Sequence, residues 1–306
     1  MSDLPWAPAL REFAASSRFN DHGGIVTDLD GTAVHEHDGR VAIPHGVSHA
    51  LSRLSDQGRP IVINTLRFPM SVIGTFGQEW YAITNAPLPL ISLNGSLIGH
   101  LTESPAGAIC FDEIEARVMS PGQIEEVLTS IEEVVRLGVD RVLVFFYPRD
   151  WRLGEKIWTP LAEHVQHVRH KYLSASEVFC GDVERLRTRL AECEICMLFV
   201  LVERAGDELM AYQHTKPSDF ITGAGTDKRD GMRRLAARMG TEVGEWLGAG
   251  DTPMDTFLQD VGLAVVVGGL DLDYHGRHQT VRIRDSLELG ALLFELSSLS
   301  QLKAAE

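Results

Sequence analysis

Residues 25–32 read Ile-Val-Thr-Asp-Leu-Asp-Gly-Thr, an apolar run that delivers two aspartates two positions apart. Alternation along a strand turns Asp28 and Asp30 toward the same side, and Gly31 lets the chain bend away at once. Carboxylates held this close repel each other unless a cation or a shared proton lies between them. A hard, oxygen-seeking ion such as Mg2+ suits the pair. Phosphoryl chemistry uses such an arrangement, a metal screening phosphate charge while a carboxylate attacks phosphorus. Asp-Gly is also ordinary turn punctuation, so the pair gains its weight from the segments downstream of it.

Three such segments come in order. Residues 60–67, Pro-Ile-Val-Ile-Asn-Thr-Leu-Arg, read as a buried strand ending at Thr65 with Arg67 just beyond. Residues 226–240 read as an amphipathic helix with Lys228 in its first turn. Residues 246–255, Trp-Leu-Gly-Ala-Gly-Asp-Thr-Pro-Met-Asp, read as a short strand delivering Asp251, with Asp255 four residues later. A hydroxyl, an ammonium and a second acidic pair complete what a metal-assisted phosphate site needs.

The elements that must position these groups alternate between strand and helix. Val47, Ala50, Leu51 and Leu54 fall at i, i+3, i+4 and i+7 before Gly58, which predicts a helix over 46–58 with a glycine stop. It lies between strands at 24–29 and 60–65, a crossover that implies a parallel sheet. A strand at 90–93 ends at Asn94-Gly95, and the pattern resumes with a helix at 228–239 and strands at 246–250 and 263–267. Between 101 and 215, strands at 108–113, 142–147 and 195–203 alternate with helices near 121–136, 158–170 and 182–192, and none of the four chemical segments falls there. The expectation is a doubly wound α/β core of Rossmann-like type, residues 1–100 and 216–306, with a second α/β domain inserted at 101–215. Ligands in open α/β sheets bind beyond the carboxyl ends of the strands, so an insert leaving there would cover the site as a lid. Residues 297–306 are expected to fray.

With these segments in place, the chain resembles the haloacid dehalogenase superfamily, in particular its phosphatases with a large inserted α/β cap. Asp28-Leu-Asp-Gly-Thr32 matches that family's first motif, Lys228 with its helix the third, and Gly250-Asp251 with Asp255 the fourth, except that Met254 stands where Asn is usual. The second motif departs further: Asn64-Thr65-Leu66-Arg67 replaces Thr-Gly-Arg. The resemblance is to the sucrose-phosphate, mannosyl-phosphoglycerate and related sugar-phosphate phosphatases. It implies a Mg2+-dependent hydrolysis of a small phosphorylated metabolite through an aspartyl-phosphate. It also implies a metal contact from the Asp30 main-chain carbonyl and a mobile flap at the Asp38-Gly39 hairpin.

Motif and chemistry together assign expected roles. Asp28 is the nucleophile, and Asp30 the acid toward the leaving alcohol and then the base toward water. Lys228 neutralises phosphoryl charge, aided by its helix N-terminus, and Thr65 donates a hydroxyl hydrogen bond to the same oxygens. Asp28, Asp30, Asp251 and Asp255 form the metal set, with Asp255 acting directly or through water. Arg67 either holds phosphate or pairs with a carboxylate of the insert. Asn94 either contacts substrate or serves only as an Asn-Gly turn. In the insert, Trp151-Arg-Leu-Gly-Glu-Lys-Ile-Trp158 offers aromatic faces and cations for a sugar, with packing of the insert the stronger reading. His35, Glu36 and His37 read as flap residues rather than ligands, since Glu36 points away from its neighbours.

Composition narrows the function. The chain has 306 residues, 44% of them hydrophobic, and a net charge of −15. That charge argues against nucleic acid, whose binding relies on clustered Lys and Arg, and leaves attraction of a phosphate to Lys228, Arg67 and a metal. No run of about 18 apolar residues and no basic-then-apolar leader is evident, so a cytoplasmic protein with reduced thiols at Cys110, Cys180, Cys193 and Cys196 is expected. Cys193-Glu-Ile-Cys196 lacks a second ligand pair and runs into a strand, so it reads as structural. Two other functions fit less well. A phosphomutase would have to keep its phosphoryl group from water, and a non-catalytic binding module would not need every motif charge. A dinucleotide site at Gly223-Ala-Gly225 lacks both the preceding strand and the third glycine.

Overall fold

The computed structural model describes residues 4–37, 40–139, 141–202, 220–269, 271–272, 274–277 and 279–304. The chain begins with α1 (Ala7–Ser16), α2 (Phe19–His22), β1 (Ile25–Thr27), the hairpin strands β2 (His35–His37) and β3 (Arg40–Ala42), α3 (His45–Asp56), β4 (Ile61–Asn64), α4 (Pro69–Thr84), β5 (Leu88–Ser92), β6 (Leu97–Glu103) and β7 (Ile109–Ala116). It continues through α5 (Pro121–Arg136), β8 (Val142–Pro148), β9 (Glu155–Thr159), α6 (His164–Lys171), β10 (Ala175–Cys180), α7 (Val183–Leu190), β11 (Ile195–Val202) and β12 (Phe220–Thr222). It ends with α8 (Lys228–Met239), β13 (Leu247–Gly250), β14 (Leu263–Val267), β15 (Gln279–Ile283) and α9 (Ser286–Ala304).

Two main sheets result. The larger has eight strands in the order β15-β14-β13-β1-β4-β5-β6-β7, parallel from β15 through β5 and antiparallel at β6 and β7. Its central strands read as unbroken apolar runs because both faces are covered, as parallel sheets require: every residue of β1, β4, β13 and β14 is buried. The smaller sheet has five strands, β10-β9-β8-β11-β12, and is mostly antiparallel. The two layers share one apolar cluster, in which Phe68 after β4 meets Tyr147 of β8 with ring centroids 5.7 Å apart. Among the described residues no helix is long and apolar enough to cross a membrane.

The α/β fold class agrees with expectation, but the ends of the insert do not fall at 101 and 215. Strand β7 pairs with β6 in the large sheet, Leu101 opposite Phe111, so the segment at 108–113 belongs to the core. At the other end, β12 pairs with β11 in the small sheet, and Phe220 stacks on Phe199 at 4.7 Å. Alternation marks a strand without saying which sheet will receive it, and both segments are short strands beside a boundary. The helix expected from 158 is instead β9, a turn, and α6, because Pro160 holds Thr159 extended. The C-terminal end stays helical to Ala304, with Ser297 fully buried and Ser300 nearly so. The Asp38-Gly39 turn lies outside the described residues; its flanking strands β2 and β3 do pair as a hairpin.

Candidate active site

Strand β1 ends at Thr27, and Asp28 extends its pairing by donating its N–H to the Ala249 carbonyl at 2.9 Å. Beyond it the chain turns sharply, with Gly31 at φ +77°. A Cβ at Gly31 would collide with the Asp251 carboxylate, so glycine is required both for backbone and for space. The turn brings Thr32 to donate its hydroxyl to Asp251 Oδ1 at 2.8 Å. Asp251 itself follows the last residue of β13, one strand over from β1.

Lys228 is the first residue of α8, whose N-cap is Asp227. Its ammonium is almost fully buried and donates to Asp28 Oδ1 at 2.6 Å and to Asp255 Oδ1 at 2.7 Å. The backbone is held in turn by Asn64, whose amide donates to the Lys228 carbonyl at 2.9 Å. Asp255 sits within the acidic cluster, its carboxylate within 4.8 Å of those of Asp28 and Asp251, and is also hydrogen-bonded on both oxygens. Oδ1 accepts from Lys228, and Oδ2 accepts from the backbone N–H groups of Asp251 and Thr252 and from the Thr252 hydroxyl. Fully buried, Asp255 shapes the loop and anchors the lysine. Of the three, Asp28 and Asp251 line the cleft.

The charge balance fits a divalent ion. Three clustered carboxylates face one ammonium. Burial raises the pKa of Asp28 well above the usual carboxylate range, and Asp255, Asp251 and Asp30 raise it further against the pull of Lys228. Burial and the Asp255 charge push Asp251 up to about 6. Burial alone would lower the Lys228 pKa, but the adjoining Asp255 and Asp28 outweigh it and hold the ammonium charged. A hard cation on Asp28 and Asp251 would relieve this excess of negative charge.

Asp30 stands apart from that cluster. Its two oxygens accept a parallel pair of hydrogen bonds from Arg67, from Nε and Nη2, each 2.7 Å long. Arg67 is largely buried, donates also to Ser71 at 3.2 Å, and lies over the Phe76 ring at 5.2 Å. Arg67, a candidate for holding phosphate or a carboxylate of the insert, here holds the core's own Asp30. Both oxygens of Asp30 are thus engaged by one guanidinium. Thr65 directly follows β4, and its oxygen accepts from the Arg67 N–H at 3.1 Å, which leaves the hydroxyl proton to donate.

Asn94 lies at the end of β5 beside Thr65, its N–H 3.4 Å from the Thr65 carbonyl. Leu93 and Asn94 have φ of +49° and +54°, two consecutive left-handed residues that side chains disfavour. The buried Asn94 Oδ1 has no hydrogen-bond partner. Asn94 does not line the main cleft, whereas Asp28, Asp30, Thr65, Arg67, Lys228 and Asp251 all do, around a cavity of about 510 Å³.

Sequence reasoning passed over the far wall of this cleft. Arg284, Asp285 and Ser286 at the start of α9 line it; the visible signal was the Asp285 cap, which accepts from the Glu288 N–H at 2.9 Å. His35 and Glu36 of the hairpin line it as well, as a flap should. Trp158 does not: it is fully buried in the apolar cluster of the small sheet and donates to the Gly181 carbonyl at 3.2 Å. Trp151 packs edge-on against Phe111, away from the cleft.

A parallel α/β sheet carrying an acidic cluster and a buried lysine at its strand ends, with a second α/β layer inserted, defines the class. Residues 25–269 match the family of haloacid dehalogenase-like hydrolases, and the chain belongs to that family. No curated protein matches it significantly in sequence. Among solved structures, a subclass IIB sugar phosphatase of the superfamily aligns with a TM-score of 0.58 and 16% identity over 92% of this chain and 98% of its own. A superfamily phosphatase from Bacteroides thetaiotaomicron aligns at 0.59 and 18% identity, over 92% and 96% respectively. A COF-like hydrolase from Plasmodium vivax gives 0.66 at 17% identity, over 96% and 99%.

Proposed function

We propose that this protein is a cytoplasmic Mg2+-dependent phosphatase that hydrolyses a small phosphorylated metabolite, a sugar phosphate, through an aspartyl-phosphate. The observation that carries the reading is the buried Lys228 bridging Asp28 and Asp255 at the mouth of the β1 and β13 strand ends. It aims one carboxylate oxygen and one cation into the same cleft. Support for the sugar class comes from the sugar phosphatase among the similar structures.

Asp28 attacks phosphorus with a carboxylate oxygen while the bond from phosphorus to the alcohol oxygen breaks. Asp30 gives that oxygen its proton, then takes one from the water that attacks the aspartyl-phosphate, which restores Asp28 and releases phosphate. Lys228 and the Thr65 hydroxyl stabilise the charge on the phosphoryl oxygens. Arg67 holds Asp30 between turnovers. Bound by Asp28 and Asp251, with the Asp30 main-chain carbonyl, Mg2+ would screen the phosphoryl charge as the nucleophile approaches. Asp255 positions Lys228 and the Asp251 loop from behind. The inserted layer, which walls the adjoining cavity with Tyr147, Glu155, Ser174 and Phe220, selects the leaving group.

The test is a panel of phosphomonoesters with Mg2+, read as released phosphate, for the native protein and for Asp28→Asn. Hydrolysis of sugar phosphates that disappears in the variant is expected. Turnover by Asp28→Asn at the native rate, or none by the native protein on any ester, would overturn the reading.

A further inference from the structure

A second cavity of about 300 Å³ opens beside the first. It shares Leu66 and Arg67 with the main cleft, so the two meet at the guanidinium that holds Asp30. Because Asp30 faces the leaving group in the proposed mechanism, this cavity lies on the leaving-group side. Its floor comes from α4, where Gly74 leaves open space that a side chain would fill. Its roof comes from the inserted layer.

The roof carries a carboxylate held by neutral donors. Glu155, the first residue of β9, accepts from the Tyr147 hydroxyl at 2.7 Å and from the Ser174 hydroxyl at 3.1 Å. Neither donor brings charge, and among the described residues no Lys or Arg pairs with it. Among the described residues lining the cavity the cation is Arg67, whose Nε and Nη2 go to Asp30. Burial accordingly pushes the Glu155 pKa up, against the two hydrogen bonds. The rings of Tyr147, Phe68 and Phe220 line the same cavity. A carboxylate held in place by two neutral donors, short of positive charge and sharing its cavity with aromatic rings, has the chemistry of an ammonium site. A hydroxyl could donate to Glu155 but would leave its charge uncompensated.

We infer that the cavity roofed by Glu155 binds an ammonium group on the alcohol part of the substrate, so that the preferred ester is an amino-sugar or amino-alcohol phosphate. This rests on the phosphatase reading and narrows its substrate class. It assigns Glu155 as the residue that selects the leaving group, with Tyr147 and Ser174 positioning it.

Two probes that differ by one group decide the matter: glucosamine 6-phosphate, with an ammonium, and glucose 6-phosphate, with a hydroxyl in its place. The native protein should show a KM for the amino ester lower by about tenfold or more, and Glu155→Gln should bring the two KM values together. A tenfold preference corresponds to about 1.4 kcal/mol. A merely structural role for Glu155 would raise both KM values and leave their ratio intact. Gly74→Leu, which fills the cavity from the opposite wall without touching Glu155, should also abolish the preference and decides the question if Glu155→Gln fails to fold. Calorimetric binding of glucosamine against glucose to the native protein tests the pocket without catalysis. Failure of the phosphatase reading would leave that binding preference standing. Equal affinity for the two sugars, equal KM values in the native protein, or a preference that survives either substitution overturns the inference.

Discussion

Asp251→Asn should make the metal-free protein more stable while removing its response to Mg2+. In the fold, Asp251 has its pKa pushed from the ordinary 3.8 up to about 6, mainly by burial and then by the charge of Asp255. A carboxyl whose folded pKa is raised binds its proton more tightly folded than unfolded. Stability is therefore highest below pH 3.8 and falls as pH rises through about 6. At about 1.4 kcal/mol per pKa step, the ionised group costs the fold on the order of 3 kcal/mol at neutral pH. The cost is lower in practice, since the cleft gives Asp251 some solvent. Asparagine keeps the acceptor for Thr32, bound now at 2.8 Å, and carries no charge. A gain of roughly 1–3 kcal/mol, or about 2–12 °C in Tm at 2–4 °C per kcal/mol, is expected at pH 7.5 in EDTA. The gain should shrink at pH 5, where the native side chain is mostly protonated. Added Mg2+ should raise the native Tm by mass action and leave the variant unmoved. Thermal unfolding by circular dichroism reads all of these. A variant less stable than the native protein in EDTA at pH 7.5, or one that Mg2+ stabilises equally, would refute the charge argument.

Asp28→Asn should abolish phosphate release yet fold normally, because Lys228 keeps its bond to Asp255; a matched loss of helical signal would mean the effect is structural. Lys228→Met should destabilise the protein by about 3–5 kcal/mol in urea titration, since it leaves Asp28 and Asp255 buried without their cation; an unchanged midpoint would show that the ammonium is dispensable to the fold. Trp158→Ala should cost about 3–5 kcal/mol, as a cavity opens in the apolar cluster of the small sheet. If instead stability held and KM alone rose, Trp158 would belong to the substrate site. Chelation with EDTA should stop turnover and Mg2+ restore it; full activity of metal-free protein would remove the metal from the scheme.

Local sequence was enough for the parts of the site that short segments build. A strand that ends in Asp28-Leu-Asp-Gly, a helix that opens on Lys228 and a strand that delivers Gly250-Asp251 are each set by periodicity, a cap or a glycine, and all of these act within a few residues. The order of those segments implied a parallel sheet, and a parallel sheet gathers its strand ends at one edge. That places Asp28, Thr65, Lys228 and Asp251 around one cleft before any coordinate is known.

Tertiary structure decided what each charge does there. Asp255 and Asp251 look equivalent in sequence, yet Asp255 is buried against Lys228 and its own loop while Asp251 lines the cleft. Arg67 and Asp30 are 37 residues apart, and their fork exists because β1 and β4 are neighbours in register. The same holds for β7: alternation predicts a strand, but the partner sheet is chosen by pairing across the whole chain. Ion pairs and sheet membership are properties of contact between distant segments. The sequence specifies the segments, while the energies of burial and pairing that choose among their contacts arise only once the chain has closed on itself.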